Sequence, residues 1–189
     1  MTEHSLIGAS SISRILACPG SFELSQQITT PGRTSFWAAQ GTVAHKLAEE
    51  ALTEGYDPIR ELGSVIAVDG HEITVDQEMV DAVRVYMDVV RNGGRGRTYF
   101  ALERRVSLDG YWLENERPPV SAFGTADALI YRYEQEHLDV IDLKYGSGVH
   151  VPADSPQLFY YAAGALVGAD PACPEDQPGT HRSVPGCTL

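Results

Sequence analysis

The sequence predicts an α/β (α+β) domain in which helices flank a small mixed central sheet. Apolar residues recur at helical spacing over residues 76–91, and three apolar segments with strand character follow between residues 98 and 144. A chain of 189 residues with 43% hydrophobic residues can bury one core. We therefore expect one domain over residues 1–169 and an irregular or disordered tail over residues 170–189.

Capping residues and apolar spacing predict four helices. The segments are Ser10–Cys18, Gly41–Leu52, Asp76–Arg91 and a last helix that Ser155 and Pro156 open. A serine caps the first helix, Thr42 the second and Ser155 the fourth, while Gly93 and Gly94 end the third. Residues 22–40 are predicted to be loop with helical pieces.

Five strands are predicted. Val65–Val68 and His71–Val75 flank Asp69-Gly70, a strong signal for a two-residue hairpin. Thr98–Leu108, Phe123–Tyr133 and His137–Lys144 are the other three. Because only residues 134–136 separate the last two, these are expected to pair antiparallel.

Charge and composition exclude several classes of protein. No segment approaches the about 20 apolar residues that a membrane helix needs, and Met1–Ser10 lacks the pattern of a signal peptide. Three widely spaced cysteines favour a reducing, cytoplasmic compartment over a disulfide framework. A net charge of −12 argues against a general nucleic-acid binder. The six arginines between Arg84 and Arg105 nevertheless predict a local basic face, with an ordinary solvated surface as the alternative.

Two acids near the predicted sheet suggest a metal site. Asp142 and Lys144 alternate with apolar residues, so their side chains should share one face; a surface ion pair is the alternative. Asp127 lies inside the neighbouring apolar strand, where a lone charge would be costly unless a salt bridge neutralised it. Two acids on adjacent strands repel each other unless a cation lies between them, and Mg²⁺ or Mn²⁺ prefers such oxygen ligands.

Helical positions add further polar candidates. His45 and Glu49 lie one turn apart on one helix face, although a lone helical histidine is more often structural than a ligand. Gln157 and Tyr161 are likewise one turn apart, and an ordinary polar edge of an amphipathic helix is the alternative. Lys144 and Lys46 are the only lysines, and the other basic residues are arginines. Lysine at position 144 therefore suggests a need for its compact charge, whose pKa shifts more readily than that of arginine.

These residues occur in a recognisable order. The motifs are Ser11 to Cys18-Pro19, Gly41-Thr42-x-x-His45, Gly124-Thr125-x-Asp127, Asp142-x-Lys144 and Gln157-x-x-x-Tyr161. The set resembles the RecB-like exonuclease branch of the PD-(D/E)xK nuclease superfamily, and looks closest to a phage-encoded group related to CRISPR-adaptation nucleases. The resemblance covers about residues 10–168, and it implies a restriction-endonuclease-like core.

The resemblance also implies a role for each residue. The ligands of Mg²⁺ or Mn²⁺ would be His45, Asp127, Asp142 and the backbone carbonyl of Leu143. Lys144 would orient the attacking water and stabilise phosphate charge, and Gln157 and Tyr161 would line the site. The roles in DNA binding fall on Arg95, Arg97, Lys144 and Tyr161, while Glu49 and Glu103 are candidates for supporting contacts around the metal ligands.

The cysteines depart from the pattern of many relatives, which hold an iron–sulfur cluster with one upstream and three downstream cysteines. This sequence offers only Cys18, Cys173 and Cys187, whereas such a cluster needs four thiolates. We therefore expect no intact iron–sulfur cluster, and we expect Cys18 to be a small buried residue that closes the first helix.

The expected function is metal-dependent hydrolysis of DNA, with an exonuclease as the expected mode, in phage recombination, replication or repair within the cytoplasm of a bacterial host. DNA is then the partner, together with phage recombination or replication proteins. Two alternatives stay open. A catalytically inactive DNA-binding or assembly module would keep the fold without the chemistry, and a small-molecule metallohydrolase would keep the metal without DNA.

Overall fold

The computed structural model describes residues 5–27, 34–96, 98–111, 121–146 and 151–167. Its helices are α1 (Ala9–Ala17), α2 (Gly20–Gln26), α3 (Phe36–Glu54), α4 (Gln77–Gly93) and α5 (Pro156–Val167). Its strands are β1 (Val65–Val68), β2 (His71–Thr74), β3 (Thr98–Ser107), β4 (Phe123–Arg132) and β5 (His137–Ile141). Short 3₁₀ turns lie at Pro58–Glu61 and Asp109–Tyr111. These elements confirm the α+β class.

The described strands form two small sheets, and both are antiparallel rather than mixed. The hairpin of β1 and β2 is confirmed, and Asp69 and Gly70 have φ values of 48° and 82°, as a tight turn with two left-handed residues requires. The second sheet has the order β3-β4-β5. All strand pairs in the described residues are antiparallel, because each connection within these sheets returns the chain alongside the preceding strand.

The last strand is shorter than predicted. β5 ends at Ile141 rather than at Lys144. The backbone N–H of Leu143 donates to a carboxylate oxygen of Asp127 at 2.6 Å instead of continuing the ladder with β4. The Asp127 side chain of β4 therefore takes the hydrogen bond that would extend β5, and the residues after Ile141 leave the sheet at this point.

Helix α3 begins earlier than its alanine-rich part suggests. Ser35 is its cap and accepts a hydrogen bond from the N–H of Ala38, so the prediction of Thr42 as the cap was wrong. The Thr42 hydroxyl donates instead to the carbonyl of Ala38 inside the helix. The helical pieces predicted within residues 22–40 are confirmed, and they are the end of α2 and the first turns of α3.

Two other predicted serine caps also differ. Helix α1 begins at Ala9 with Gly8 at the cap, so Ser10 is inside the helix. The buried hydroxyl of Ser155 has no hydrogen-bond partner among the described residues, although its carbonyl accepts the N–H of Leu158. Helix α4 is capped by the side chain of Asp76, which accepts a hydrogen bond from the N–H of Met79.

The apolar side chains form two clusters on opposite faces of the three-stranded sheet. Helices α3 and α4 pack over one face, where they cover Ala128, Leu102 and Ile141. Helices α1 and α5 pack over the other face, where Leu129 and Val140 lie. The five apolar positions predicted to line α4 are all buried: Met79, Val80, Val83, Met87 and Val90.

Several predictions concern the surface or residues outside the described ranges. Cys18 is exposed at the end of α1, so the prediction that it is buried was wrong: the chain turns outward there into α2, which buries none of its residues. The described arginines of residues 84–105 do not form one basic face, because Arg84 pairs with Asp57 and Arg104 is only 9% exposed. Arg97, Cys173, Cys187 and the tail over residues 170–189 lie outside the described residues. No helix in the described part of the chain is both long enough and apolar enough to span a bilayer.

Candidate metal centre

Helix α3 and strand β4 bring a histidine and an aspartate together. The imidazole Nδ1 of His45 lies 3.4 Å from Oδ1 of Asp127. His45 is on the face of α3 that covers the sheet, between the fully buried Ala44 and the nearly buried Leu47. The other oxygen of Asp127 accepts the N–H of Leu143, so both oxygens of this carboxylate have a defined partner.

A second carboxylate faces Asp127 across the sheet. In the register of β3 and β4, Leu102 pairs with Ala128 and Arg104 with Ala126, which places Glu103 directly opposite Asp127. Like charges in this arrangement destabilise a sheet. Glu103 also has a φ of 45°, a left-handed conformation that non-glycine residues rarely adopt and that is typical of functional sites.

The kink at Glu103 changes which face of the sheet the neighbouring residues contact. Regular alternation would place Ala126 and Ala128 on one face. Instead Ala128 packs with α3 and α4, whereas Ala126 packs with α1 and α5. The alternation therefore shifts between these two residues, and Asp127 at the point of the shift turns its carboxylate towards α3.

The resulting trio of His45, Glu103 and Asp127 has the composition of a metal site. One ligand atom from each residue lies within 4.8 Å of the other two. Glu103 was predicted only as a supporting residue, but its position makes it a candidate ligand. The predicted ligand Asp142 is not part of this set, and Leu143 contributes its N–H to Asp127.

Burial and neighbouring charges shift the pKa values of the ionisable groups at the site. Burial, with the charges of Asp127 and Glu49, raises the pKa of Glu103 to about 7. Burial also raises the pKa of Asp142, against the opposing effect of Lys144. For His45, burial alone would lower the pKa, but the hydrogen bond and charge of Asp127 outweigh it and the pKa is raised. The site thus accumulates acidic groups that a cation or protons must neutralise.

A second group of residues adjoins the trio. Oδ2 of Asp142 lies 2.5 Å from Nζ of Lys144, and Oδ1 accepts from the side-chain amide of Gln157 at 3.2 Å. The same amide group donates to the hydroxyl of Tyr161 at 3.0 Å. The Lys144 side chain is 42% exposed, so its ammonium group is accessible from solvent. Burial raises the pKa of Tyr161 to about 12, so its hydroxyl stays protonated at neutral pH.

Close packing holds α5 in the position that this network needs. A Cβ atom on Gly164 would lie 2.9 Å from two carbon atoms of Val106 in β3, and one on Gly124 would lie 3.0 Å from the Tyr161 ring. Both positions therefore need glycine for the helix to approach the sheet. The predicted pairing of Gln157 and Tyr161 on one side of this helix agrees with their hydrogen bond.

A narrow cavity beside the trio contains a residue that the sequence did not single out. Tyr86 of α4 lines it together with His45, Glu49 and Glu103. Burial and the nearby carboxylates raise the pKa of Tyr86. Tyr86 lies among the buried residues of an amphipathic helix, as an ordinary core residue would. Only its hydroxyl group could have indicated from the sequence that it lines a site. Glu49 lines the cavity as an exposed residue, in keeping with a supporting position.

Arg95, one of the two arginines predicted to bind DNA, is not at this site. Arg95 is exposed after α4, ahead of Thr98, where β3 begins. Thr98 is five residues before Glu103, which corresponds to about 17 Å along a strand. Any contact of Arg95 with a substrate would therefore be far from the trio, and Arg97 lies outside the described residues.

One family model matches this chain. Its description is "Protein of unknown function (DUF2800)", and the match covers residues 4–171. The chain therefore belongs to this family. A search of solved structures found no match.

Proposed function

We propose that this member of the DUF2800 family is a divalent-metal-dependent deoxyribonuclease that hydrolyses phosphodiester bonds. The observation that carries the proposal is the position of the His45–Glu103–Asp127 trio next to the Asp142–Lys144 pair. Metal ligands and a lysine ammonium group are two kinds of group that stabilise the negative charge developing during phosphodiester hydrolysis, and here they adjoin each other.

The residues of the trio fit a divalent cation. Glu103 and Asp127 are carboxylates that face each other on paired strands, and burial, followed by the charge of Asp127, raises the pKa of Glu103. Two carboxylates and one imidazole would hold Mg²⁺ or Mn²⁺, with Mn²⁺ favoured by the nitrogen ligand. Bound there, the cation would offset the negative charge that develops on the phosphate.

The other residues would act on the substrate directly or through one another. Lys144 presents a positive charge to solvent beside the trio, where it can meet a phosphate oxygen and the attacking water. Asp142 holds the ammonium group, and Gln157 holds Asp142 through its amide. Tyr161 receives the other hydrogen bond of that amide and limits its rotation. The predicted roles of Asp142 as a ligand and Tyr161 as a DNA contact stay predictions.

The choice of DNA, and of an exonuclease acting in phage recombination, replication or repair, is supported by the ordered motifs that resemble RecB-like nucleases. We include in the proposal a cytoplasmic location in a bacterial host and phage recombination or replication proteins as partners. An inactive DNA-binding or assembly module on the same fold is the alternative, and it predicts DNA binding without cleavage.

A nuclease assay with the two lysines as a matched pair tests the proposal. Linear and circular DNA, single- and double-stranded and end-labelled, would be incubated with Mg²⁺, Mn²⁺ or EDTA. We expect metal-dependent loss of linear DNA that Lys144→Ala abolishes. Lys46→Ala should leave it unchanged, because Lys46 pairs with Glu50 on the exposed surface of α3.

Other outcomes identify the alternatives. Cleavage of circular DNA would make the protein an endonuclease. Cleavage that persists in EDTA or in the Lys144→Ala variant would refute the assignment of these residues. DNA binding without cleavage by folded protein that binds Mn²⁺ would support the inactive module instead.

A further inference from the structure

Two large aromatic side chains begin α3 at the surface of the protein. Trp37 is 53% exposed and Phe36 is 44% exposed. An exposed tryptophan loses the stabilisation that burial of its ring would give, and paired exposed aromatics are typical of binding surfaces. The described contacts of Phe36 and Trp37 fix the orientation of the two rings, but they give no reason for the rings to be exposed to solvent.

The two rings belong to an ordered group. Phe36 and Trp37 contact edge to face with centroids 5.8 Å apart, and Phe36 makes a similar contact with His71 at 6.0 Å. The His71 ring is fixed in turn by a hydrogen bond of 2.9 Å between Nε2 and the carbonyl oxygen of Thr34. Trp37 is therefore braced from behind while half of its surface stays open.

The same helix connects Trp37 to the candidate metal centre. Trp37, Gly41 and His45 follow at intervals of four residues, so they lie along one side of α3. Eight residues of helix span about 12 Å. This is the length of about three stacked base steps, since bases along one DNA strand are about 3.4 Å apart.

The segment after Lys144 lies against this side of the helix. A Cβ atom on Gly41 would be 3.2 Å from the carbonyl oxygen of Tyr145, and one on Gly146 would be 3.0 Å from the carbonyl oxygen of Trp37. Gly146 has a φ of 134°, which permits this close approach. The backbone that carries Lys144 thus continues directly to the base of Trp37.

The charge of the protein favours stacking over phosphate attraction. With a net charge of −12 and no continuous basic face along residues 84–96 and 98–105, the chain gains little from general attraction to a polyanion. Stacking of a base on an aromatic ring depends on no charge, and every base offers a flat face. An exposed tryptophan near the site supplies this kind of affinity.

We propose that Trp37 is a stacking platform for an unpaired nucleobase, about three nucleotides from the phosphate that the metal centre would hold. This inference rests on the proposed function, and it specifies the substrate as a single strand or a frayed end. A base inside an intact duplex is stacked on its neighbours and does not offer its face to Trp37.

Binding of a short thymidine oligonucleotide tests the proposal in a form that separates it from cleavage. The full chain would carry Lys144→Ala to suppress cleavage and Trp112→Phe to leave Trp37 as the only tryptophan. We expect thymidine oligonucleotide with Mg²⁺ to quench the Trp37 fluorescence, and an oligonucleotide of abasic sites, with the same phosphates, to quench much less.

Substitutions provide the matched comparison. Trp37→Ala should weaken binding about 5- to 150-fold, measured by anisotropy of a labelled oligonucleotide, while Trp37→Phe should keep most of the affinity. Phe159→Ala is the control, because Phe159 is the more exposed ring but faces away from Gln157 and Tyr161 on α5. Its loss should change the affinity less than twofold.

The outcomes distinguish this proposal from the proposed function. Unchanged binding after Trp37→Ala, equal binding of the abasic oligonucleotide, or no binding of either oligonucleotide would overturn the stacking role. Metal-dependent cleavage with no dependence on Trp37 would overturn it while the nuclease activity stands. Binding that depends on Trp37 in a protein whose intact form never cleaves would support stacking and refute the nuclease.

Discussion

Glu103 and Asp127 lie directly opposite each other on paired strands, and the ligand atoms of both lie within 4.8 Å of an imidazole nitrogen of His45. Neither acid has a lysine or arginine ion pair among the described contacts that would neutralise it. Removing the charge of either acid, adding a cation or adding a proton should therefore relieve a repulsion that the fold otherwise retains. The first two predictions follow from this relationship.

Metal binding should stabilise the protein. A cation present at 100 times its dissociation constant adds about 2.7 kcal/mol to the free energy of unfolding, which raises the Tm of a domain of this size by several degrees. Differential scanning calorimetry with Mn²⁺ and with EDTA measures the shift. Glu103→Gln should remove most of it, whereas Glu50→Gln, a change on the exposed surface of α3, should not. Equal shifts in both variants would place the metal elsewhere.

The stability of the metal-free protein should fall as the pH rises from about 4.5 to about 7. The folded state raises the pKa of Glu103 to about 7 from 4.5, so in this range it binds a proton that the unfolded chain has released. The groups responsible besides burial are Asp127, Glu49 and Asp142, which raise the pKa, against His45. Urea unfolding in EDTA across this range should show a flatter dependence for Glu103→Gln. An equally steep dependence would contradict the prediction.

The amide of Gln157 should contribute to catalysis by holding Asp142 and Tyr161. Gln157→Ala is expected to lower kcat/KM about 10- to 100-fold, the size of effect typical of residues that orient metal ligands or catalytic groups. Gln77→Ala is a matched control, since Gln77 donates to Asp81 at 2.8 Å on the surface of α4. Steady-state cleavage of labelled DNA gives the comparison, and equal activity of the two variants would remove Gln157 from the site.

Gly164 should be needed for both stability and activity. Gly164→Ala places a methyl group 2.9 Å from Val106, which forces α5 away from β3, and overpacking of this kind costs about 1–3 kcal/mol. Because α5 also carries Gln157 and Tyr161, cleavage should fall with stability. In Gly20→Ala the new methyl group meets no atom within 4 Å and alanine favours the helix, so this variant should unfold at the parent's urea concentration or at a slightly higher one. A Gly164→Ala variant of parental stability would show that the helix accommodates the methyl group.

The sequence predicted the elements more accurately than it predicted the relation between them. The spacing of Met79, Val83 and Val90 was sufficient for α4, and the Asp69-Gly70 pair for the hairpin, because both signals are local. The start of α3 was missed because Trp37 and Phe36 are apolar but exposed, so the apolar pattern there does not follow burial. A helix start that depends on one serine hydroxyl leaves only a weak signal.

The sequence predicted only part of the candidate site, because local motifs are visible in a sequence and the pairing of distant strands is not. The order of motifs selected His45, Asp127, Asp142 and Lys144, and the structure brings these residues into one region. Glu103 was placed in a supporting position because its role depends on the register of β3 against β4, which two distant segments set together. Strict alternation also could not reveal that Asp127 faces α3, since the kink at Glu103 breaks that alternation.

The left-handed backbone at Glu103 means that this one residue has both a structural role and a role in the candidate metal centre. Its side chain completes the acidic trio, and its main chain separates the two halves of a strand that serve different helices. Glycine at this position would suit the left-handed backbone but leave no carboxylate, whereas any other side chain without a carboxylate would keep the strained backbone and also lose the ligand. A substitution at position 103 that relieves the backbone strain and so stabilises the fold therefore also removes the candidate metal ligand.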